Sequence, residues 1–172
     1  MSAVVTTYVV IGVALIACLT DIRSRRIPNI LTLSAAVGAV VFHVATAGTS
    51  GLFFALSGWL VGLLLFLPFF ALGGMGGGDV KLLAALGAWV GPGDVFALAV
   101  YASIAGGVLG LALALSRNYL GTALRNIWTM LVSWWLMGPR PVPSMTLADS
   151  KAPRLAYAVP MMIGTVVTLW RR

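Results

Sequence analysis

Long stretches without a charged residue alternate with short polar segments along this chain of 172 residues. The uncharged stretches occupy positions 1–20, 27–78, 95–116 and 155–170. The hydrocarbon core of a bilayer is ~30 Å thick, so a helix needs ~20 consecutive apolar residues to cross it. The pattern therefore predicts an all-α, polytopic integral membrane protein.

The longest uncharged stretch has room for two helices, with a turn at 47–51, where small and polar residues cluster. We therefore expect about six transmembrane helices. Their predicted positions are 3–20, 28–46, 51–72, 79–91, 95–116 and 155–170. The fourth is short, about 20 Å at 1.5 Å per residue, which would place Asp79 below the headgroups or require a locally thin bilayer.

The segment after the fifth span has a different pattern. From 118 to 133, polar residues recur every three or four positions between leucines and tryptophans, which is typical of an amphipathic helix lying in the membrane interface. The proline-rich stretch 138–153 predicts an extended loop. We interpret 1–172 as one transmembrane domain whose segment 117–154 lies on the cytoplasmic face.

The basic residues give the predicted spans an orientation. Lys and Arg number 11 against 4 acidic residues, for a net charge of +7. Most of them lie in short segments that six spans bring to one face, and the positive-inside rule identifies this face as cytoplasmic. The N-terminus is then outside, and nucleic acid is not expected as a partner. The single Cys18 excludes a disulfide framework and a zinc module.

All four acidic residues are aspartates, and two of them end a Gly-x-Gly-Asp quartet. With six spans, Asp21 ends the first inward helix and Asp79 follows the second, so both reach the cytoplasmic face. Asp94 ends the other quartet and lies about 22 Å from Asp79 along a helix, on the opposite face. We expect Asp94 to cap the next helix and Asp149, in the polar loop, to face water.

Two carboxylates close together in a low-dielectric site cannot both ionise readily, so Asp21 and Asp79 could share one proton. Such a pair can hydrolyse an amide, because the ionised partner activates water and the protonated partner donates to the carbonyl oxygen. The glycines within 73–78 would let an extended peptide approach Asp79. The residues alone leave a second interpretation open, in which Asp21 caps a helix junction and pairs with an arginine while Asp79 caps the fourth span.

The sequence also allows other roles for Lys81 and Ser24 and another function for the chain. Lys81 could stabilise an oxyanion or tune Asp79, or it could simply extend its ammonium group to the membrane interface. Ser24 and Lys81 could form a serine–lysine peptidase pair, although nothing in the sequence brings them together. The main non-enzymatic alternative is a small ion- or proton-coupled transporter with paired buried aspartates, which would place its acids near the bilayer midplane.

The segments around two of the aspartates resemble the signature segments of the type IV prepilin peptidases, which are membrane aspartic proteases of the Gly-x-Gly-Asp class. The first segment reads DIRSRRIPN over 21–29, and the second reads GGGDVKL over 76–82. The short chain and the stretch LAYAVP at 155–160 resemble the tight-adherence (Flp) pilus branch of that family.

This resemblance implies that Asp21 and Asp79 are the catalytic residues. It also implies that the following residues bind substrate or shape the site: Gly76, Gly77, Gly78 and Lys81. The implied substrate is the N-terminal leader of a type IV or Flp-type prepilin, cut after a glycine at the cytoplasmic boundary of the inner membrane. The implied partners are this leader with its apolar helix and the lipid bilayer, and no metal or organic cofactor is implied.

Larger members of the family carry an N-terminal cytoplasmic segment, often with paired cysteines that bind zinc, and they also methylate the new N-terminus of the pilin. In this sequence the first predicted span begins at once, and Cys18 is the single cysteine. We therefore expect peptidase activity without methyltransferase activity.

Overall fold

A computed structural model of the chain describes residues 2–140 and 155–171. Within these ranges the chain forms helices joined by short connections, and no strand is present. The prediction of an all-α fold is confirmed. The helices are α1 (Ser2–Ser24), α2 (Asn29–Ala71), α3 (Gly77–Val90), α4 (Pro92–Ser116), α5 (Leu120–Met137) and α6 (Ala158–Trp170).

Three helical segments are long and apolar enough to cross a bilayer, namely Ala3–Ser24, Asn29–Ala71 and Pro92–Ser116. Large apolar side chains on them point away from the protein, for example Phe53, which is 72% exposed. Such exposure is unfavourable in water, whereas in a bilayer the same side chains face lipid tails. These helices fit the predicted polytopic membrane protein, and the number of crossings stays a prediction.

Helix α2 reverses direction at Gly48, whose φ of 59° and ψ of −135° are not helical. The rings of His43 and Phe54 lie 4.9 Å apart, whereas a straight helix would separate these positions by about 16 Å. Helix α2 therefore consists of two antiparallel limbs, 29–47 and 49–71. The position of the turn predicted at 47–51 is confirmed, and within it Gly48 is the residue that departs from helical geometry.

Helix α3 lies at the centre of the fold, with residues 82–90 all buried. It packs against both limbs of α2 and also against α1 and α4. The Trp89 indole nitrogen donates to the carbonyl of Ala35 at 2.8 Å, and the backbones of Gly58 and Gly87 approach so closely that a Cβ on either would overlap the other. A helix that is apolar on all sides and surrounded by protein does not face lipid, so its length need not match a bilayer.

The connection from α3 to α4 is one residue, Gly91, with a φ of 87° in the left-handed region that favours glycine. Gly91 is also the N-cap of α4, and Pro92 begins the helix. The prediction that Asp94 caps α4 is therefore wrong. Asp94 lies in the first turn instead, where a carboxylate still interacts favourably with the helix N-terminus.

Helix α6 packs against α4 and α1. A Cβ on Gly164 would lie 2.7 Å from the carbonyl oxygen of Leu98 on α4, so glycine permits this close contact. The helix begins at Ala158, three residues later than the sequence predicted, because Tyr157 is its N-cap. It is apolar but shorter than the three long helices, and whether it crosses the bilayer stays a prediction.

The amphipathic helix predicted after position 117 is present as α5, which packs against α4. Its tryptophans Trp128 and Trp135 are exposed, in keeping with the predicted place in the membrane interface, which stays a prediction. Gly138 ends the helix. Most of the loop predicted at 138–153, including Asp149, lies outside the described residues.

Candidate active site

Asp21 lies in the last turn of α1 and is 7% exposed. Its Oδ2 accepts a hydrogen bond from the backbone N–H of Ala158, at 3.2 Å, which is the first residue of α6. Its own carbonyl accepts from the N–H of Arg25 at 2.9 Å, closing the end of α1. The Asp21 backbone thus ends a helix while its carboxylate contacts a distant part of the chain.

Asp79 lies in the first turn of α3 and is half-buried. The N-cap of α3 is Gly76, and no side chain caps the helix, so the alternative in which Asp79 caps this helix is wrong. A Cβ on Gly76 would lie 3.1 Å from Oδ2 of Asp79. Glycine at this position therefore leaves room for the carboxyl group.

The fold brings Asp21 and Asp79 close enough to interact electrostatically. Asp79 lies outside the three long apolar helices. Burial, followed by the negative charge of Asp21, raises the pKa of Asp79 to about 7, while a hydrogen bond from the backbone of Gly76 opposes the rise. Near neutral pH, Asp79 therefore exists in both protonated and ionised forms, which is the state a general acid needs.

Neighbouring side chains fill the space that the absent Cβ atoms of Gly77 and Gly78 leave. A Cβ on Gly77 would lie 3.2 Å from the ring of Phe70, and one on Gly78 would lie 3.2 Å from Cβ of Ile27. The second contact joins the glycine segment directly to the segment that follows Asp21. The two sequence segments that carry the aspartates are therefore packed together, partly through the space these glycines leave.

Lys81 is exposed, and its ammonium group donates to Oδ1 of Asn29 at 3.0 Å. At about 100° per residue, Lys81 lies about 200° around α3 from Asp79. The lysine therefore joins the start of α2 to α3 on the face that is turned away from Asp79. This geometry favours a role in shaping the site over direct stabilisation of an oxyanion.

Tyr157 is a neighbour of the aspartates that sequence reasoning did not identify as a site residue. Burial raises the pKa of its phenol, a hydrogen bond with Ser103 opposes this, and the charge of Asp79 adds to the rise. The ring packs edge-on against Phe66, with centroids 5.8 Å apart, and a Cβ on Gly106 would lie 2.9 Å from it. One signal was available, a phenol inside an apolar stretch, but nothing in the sequence placed it beside Asp79.

The described ranges contain no cluster of three or more His, Cys, Asp or Glu side chains suited to a metal ion. Cys18 is a free, partly buried thiol on α1. The arrangement that could do chemistry is thus the pair Asp21 and Asp79, closed on one side by the Tyr157–Ala158 junction.

A sequence model of the type IV leader peptidase family matches residues 8–111, which include both aspartates. A prepilin leader peptidase/N-methyltransferase of Aeromonas hydrophila is 33% identical over 125 residues, covering 69% of this chain and 42% of that protein. The protein of the same name from Dickeya chrysanthemi is 33% identical over 101 residues, covering 55% and 36%. The chain thus spans about two fifths of the length of such relatives, and no solved structure matches it.

Proposed function

The chain belongs to the type IV leader peptidase family, and from this membership and the geometry around Asp21 and Asp79 we propose that it is a membrane aspartic endopeptidase. Its substrate is the N-terminal leader of a type IV or Flp-type prepilin. The observation that carries the proposal is the electrostatic interaction between buried Asp21 and half-buried Asp79, which lie on different helices and far apart in sequence.

The proposed chemistry uses one proton shared between the two carboxyl groups. The ionised aspartate takes a proton from a water molecule, whose oxygen attacks the carbonyl carbon of the scissile peptide bond. The protonated aspartate donates to the carbonyl oxygen, forming a neutral tetrahedral intermediate. This intermediate collapses as the C–N bond breaks, because the aspartate that holds the water proton gives it to the nitrogen while the other aspartate takes back the hydroxyl proton. A pKa near neutrality on Asp79 suits it to this exchange.

The proposed substrate combines the family with two resemblances, that of 21–29 and 76–82 to the type IV prepilin peptidases and that of 155–160 to their Flp branch. The curated relatives carry prepilin leader peptidase in their names. A prepilin presents a leader on the cytoplasmic side of the membrane, followed by an apolar helix in the bilayer. The cut then falls after a glycine at the boundary between the two.

We place the proposed site at the cytoplasmic end of a single transmembrane domain, 1–172, in the inner membrane. The C-terminal end of α1 carries Asp21 together with Arg23, and Lys81 follows Asp79 near the start of α3. By the positive-inside rule, these basic residues put both aspartates toward the cytoplasm and the N-terminus outside. The three long apolar helices give four crossings when the two limbs of α2 are counted separately, and α3 and α6 would complete the proposed six.

The positions of the aspartates weigh against the transporter alternative. Asp21 is near the end of α1, and Asp79 is in the first turn of α3. A transporter of this size would hold its acids near the midplane, reachable from each face in turn. Carboxyl groups gathered at helix ends fit a peptidase that receives its substrate from one side.

Co-expression with an epitope-tagged Flp-type prepilin tests the proposal. We expect the chain to shorten the prepilin to a product that begins directly after a glycine, as determined by mass spectrometry. The Asp94→Asn variant is a matched control and should remove the leader as the wild type does. A prepilin left intact by the wild-type chain would contradict the proposed function.

The same mass measurement addresses methylation, because a methyl group adds about 14 Da to the new N-terminus. The curated relatives are named as N-methyltransferases as well as peptidases. For this chain, peptidase activity without methylation stays a prediction.

A further inference from the structure

A shallow apolar groove of about 270 Å³ runs between the second limb of α2 and α4. Phe66 and Phe69 form one wall, and Phe96, Val100 and Ser103 lie on the other. Phe69, Phe96 and Val100 are exposed, so the groove opens sideways toward the surroundings, which for these helices are lipid. Its surface is almost entirely apolar and offers few polar groups to a ligand.

One end of the groove adjoins the candidate active site. Ser103, in the groove wall, is hydrogen-bonded to Tyr157, whose phenol feels the charge of Asp79. Phe66, in the opposite wall, packs edge-on against the same tyrosine ring. Tyr157 therefore contacts both walls of the groove and is near enough to Asp79 to interact with its charge.

The register of α3 and α4 fixes the depth of this contact. The two helices are antiparallel around Gly91, because a Cβ on Gly87 would lie 2.9 Å from a methyl group of Val95. Asp79 and Ser103 are equally far from Gly91 along the chain, so both lie about 18 Å from the turn, whereas Phe96 lies about 8 Å from it. The groove therefore extends from the depth of Asp79 toward the turn at Gly91, over about 10 Å.

This placement suits one kind of occupant. The substrate of the proposed function has its scissile bond at the aspartates and continues as an apolar helix into the bilayer, away from the cytoplasm. We propose that the groove between the second limb of α2 and α4 binds this apolar helix and so holds the cleavage site at the depth of Asp79. The proposal rests on the proposed function and adds the place where its substrate docks.

A larger cavity of about 440 Å³ lies between the two limbs of α2 and α3, and it does not serve this purpose. Its lining includes Leu33, Trp59, Lys81 and Ala84. On α3, Lys81 and Ala84 lie about 200° and 140° around the helix from Asp79. Helix α3 itself therefore separates this cavity from the aspartates. The groove lies beside the aspartates and the cavity lies behind α3, so the cavity serves as a control for the groove.

Photo-crosslinking distinguishes the groove from the cavity as the place where the prepilin binds. The full chain with Asp79→Asn, which retains the prepilin uncut, carries p-benzoyl-phenylalanine at Val100 or, as the control, at Leu33. We expect adducts with an epitope-tagged Flp-type prepilin at least about tenfold more abundant from position 100. Equal or stronger adducts from position 33 would overturn the proposal, and so would adducts with lipid alone from position 100.

A kinetic measurement in the active chain gives an independent result. Val100→Trp fills the groove and should raise KM for the prepilin at least about fivefold with kcat nearly unchanged, whereas Leu33→Trp should leave both near their wild-type values. An unchanged KM in a folded Val100→Trp variant, judged by its thermal unfolding, would contradict the docking site. A wild-type chain that never cleaves the prepilin would instead contradict the proposed function.

Discussion

The two Gly-x-Gly-Asp quartets occupy the same local position in consecutive helices. Gly76 is the N-cap of α3 and Gly91 that of α4, and each aspartate lies in the first turn of its helix. Their surroundings differ, because Asp79 lies near buried Asp21 whereas Asp94 lies beyond the opposite end of α3. The quartet places each aspartate in the first turn of a helix, and the fold decides whether a second carboxylate lies close to it.

The N-cap glycines of the quartets also serve different purposes. Gly91 has a φ of 87°, which its one-residue turn between two helices requires. Gly76 has a φ of −75°, a value any residue adopts, and it matters because a Cβ there would crowd the Asp79 carboxyl. Glycine is therefore needed at position 91 for its backbone conformation and at position 76 because it has no side chain.

The largest expected effect separates the two quartets directly. Asp21→Asn and Asp79→Asn should each reduce leader removal about a thousandfold or more, because each removes half of a shared-proton pair. Asp94→Asn should change it less than about twofold. Initial rates on the purified prepilin measure this difference. Comparable losses for Asp79→Asn and Asp94→Asn would break the comparison.

The pH dependence sharpens the role of Asp79. Its pKa is raised to about 7, so the carboxyl is protonated below that pH and loses its proton above it. With both aspartates ionised no general acid remains, and kcat should fall about tenfold per pH unit above about 7. Asp94→Asn should show the same profile. A rate that stays constant from about pH 6 to 9 is the result this account does not allow.

A smaller effect is expected at Tyr157, the N-cap of α6. Tyr157→Phe removes the hydroxyl that bonds Ser103 beside Asp79 and keeps the ring that packs on Phe66. The loss of one such hydrogen bond corresponds to about 1 kcal/mol, or a fall of about fivefold in kcat, together with a shift of the pH profile. Tyr101→Phe on α4 is the matched control. Identical kcat and profile in Tyr157→Phe would remove the tyrosine from the site.

The smallest expected effect concerns Lys81. Lys81→Met removes the bond to Asn29 on an exposed face, which is worth about 1 kcal/mol or less. We expect a slightly lower thermal midpoint and a change in kcat of less than about twofold. Asn29→Ala should match it, since both break the same contact. A hundredfold loss of kcat in Lys81→Met but not in Asn29→Ala would instead indicate that Lys81 stabilises an oxyanion.

The sequence was sufficient to predict the helices, because apolar run lengths and charge placement are local properties of the chain. The reversal at Gly48 lay inside the predicted turn for the same reason. The catalytic role of Asp21 and Asp79 stays a prediction. The cap of α4 was predicted wrongly because Asp94 and Gly91 are both acceptable N-caps, and Pro92 decides between them by fixing where the helix begins.

The contacts made by the start of α6 could not be predicted. The Ala158 N–H reaches Asp21 from the far end of the chain, and such a pairing depends on how α1, α4 and α6 pack together. The burial of α3 could not be predicted either, because an apolar helix has the same sequence pattern whether lipid or protein surrounds it.

The most direct test of the central claim is the titration of Asp79 in the presence and absence of its partner. The chain has 4 acidic residues, all aspartates, so carboxyl-labelled aspartate gives few NMR signals, and Asp79→Asn assigns the relevant one. We predict that Asp79 titrates near pH 7 in the wild type and at a clearly lower pH in Asp21→Asn, because a like charge has been removed. An Asp79 titration unaffected by Asp21→Asn would contradict the account.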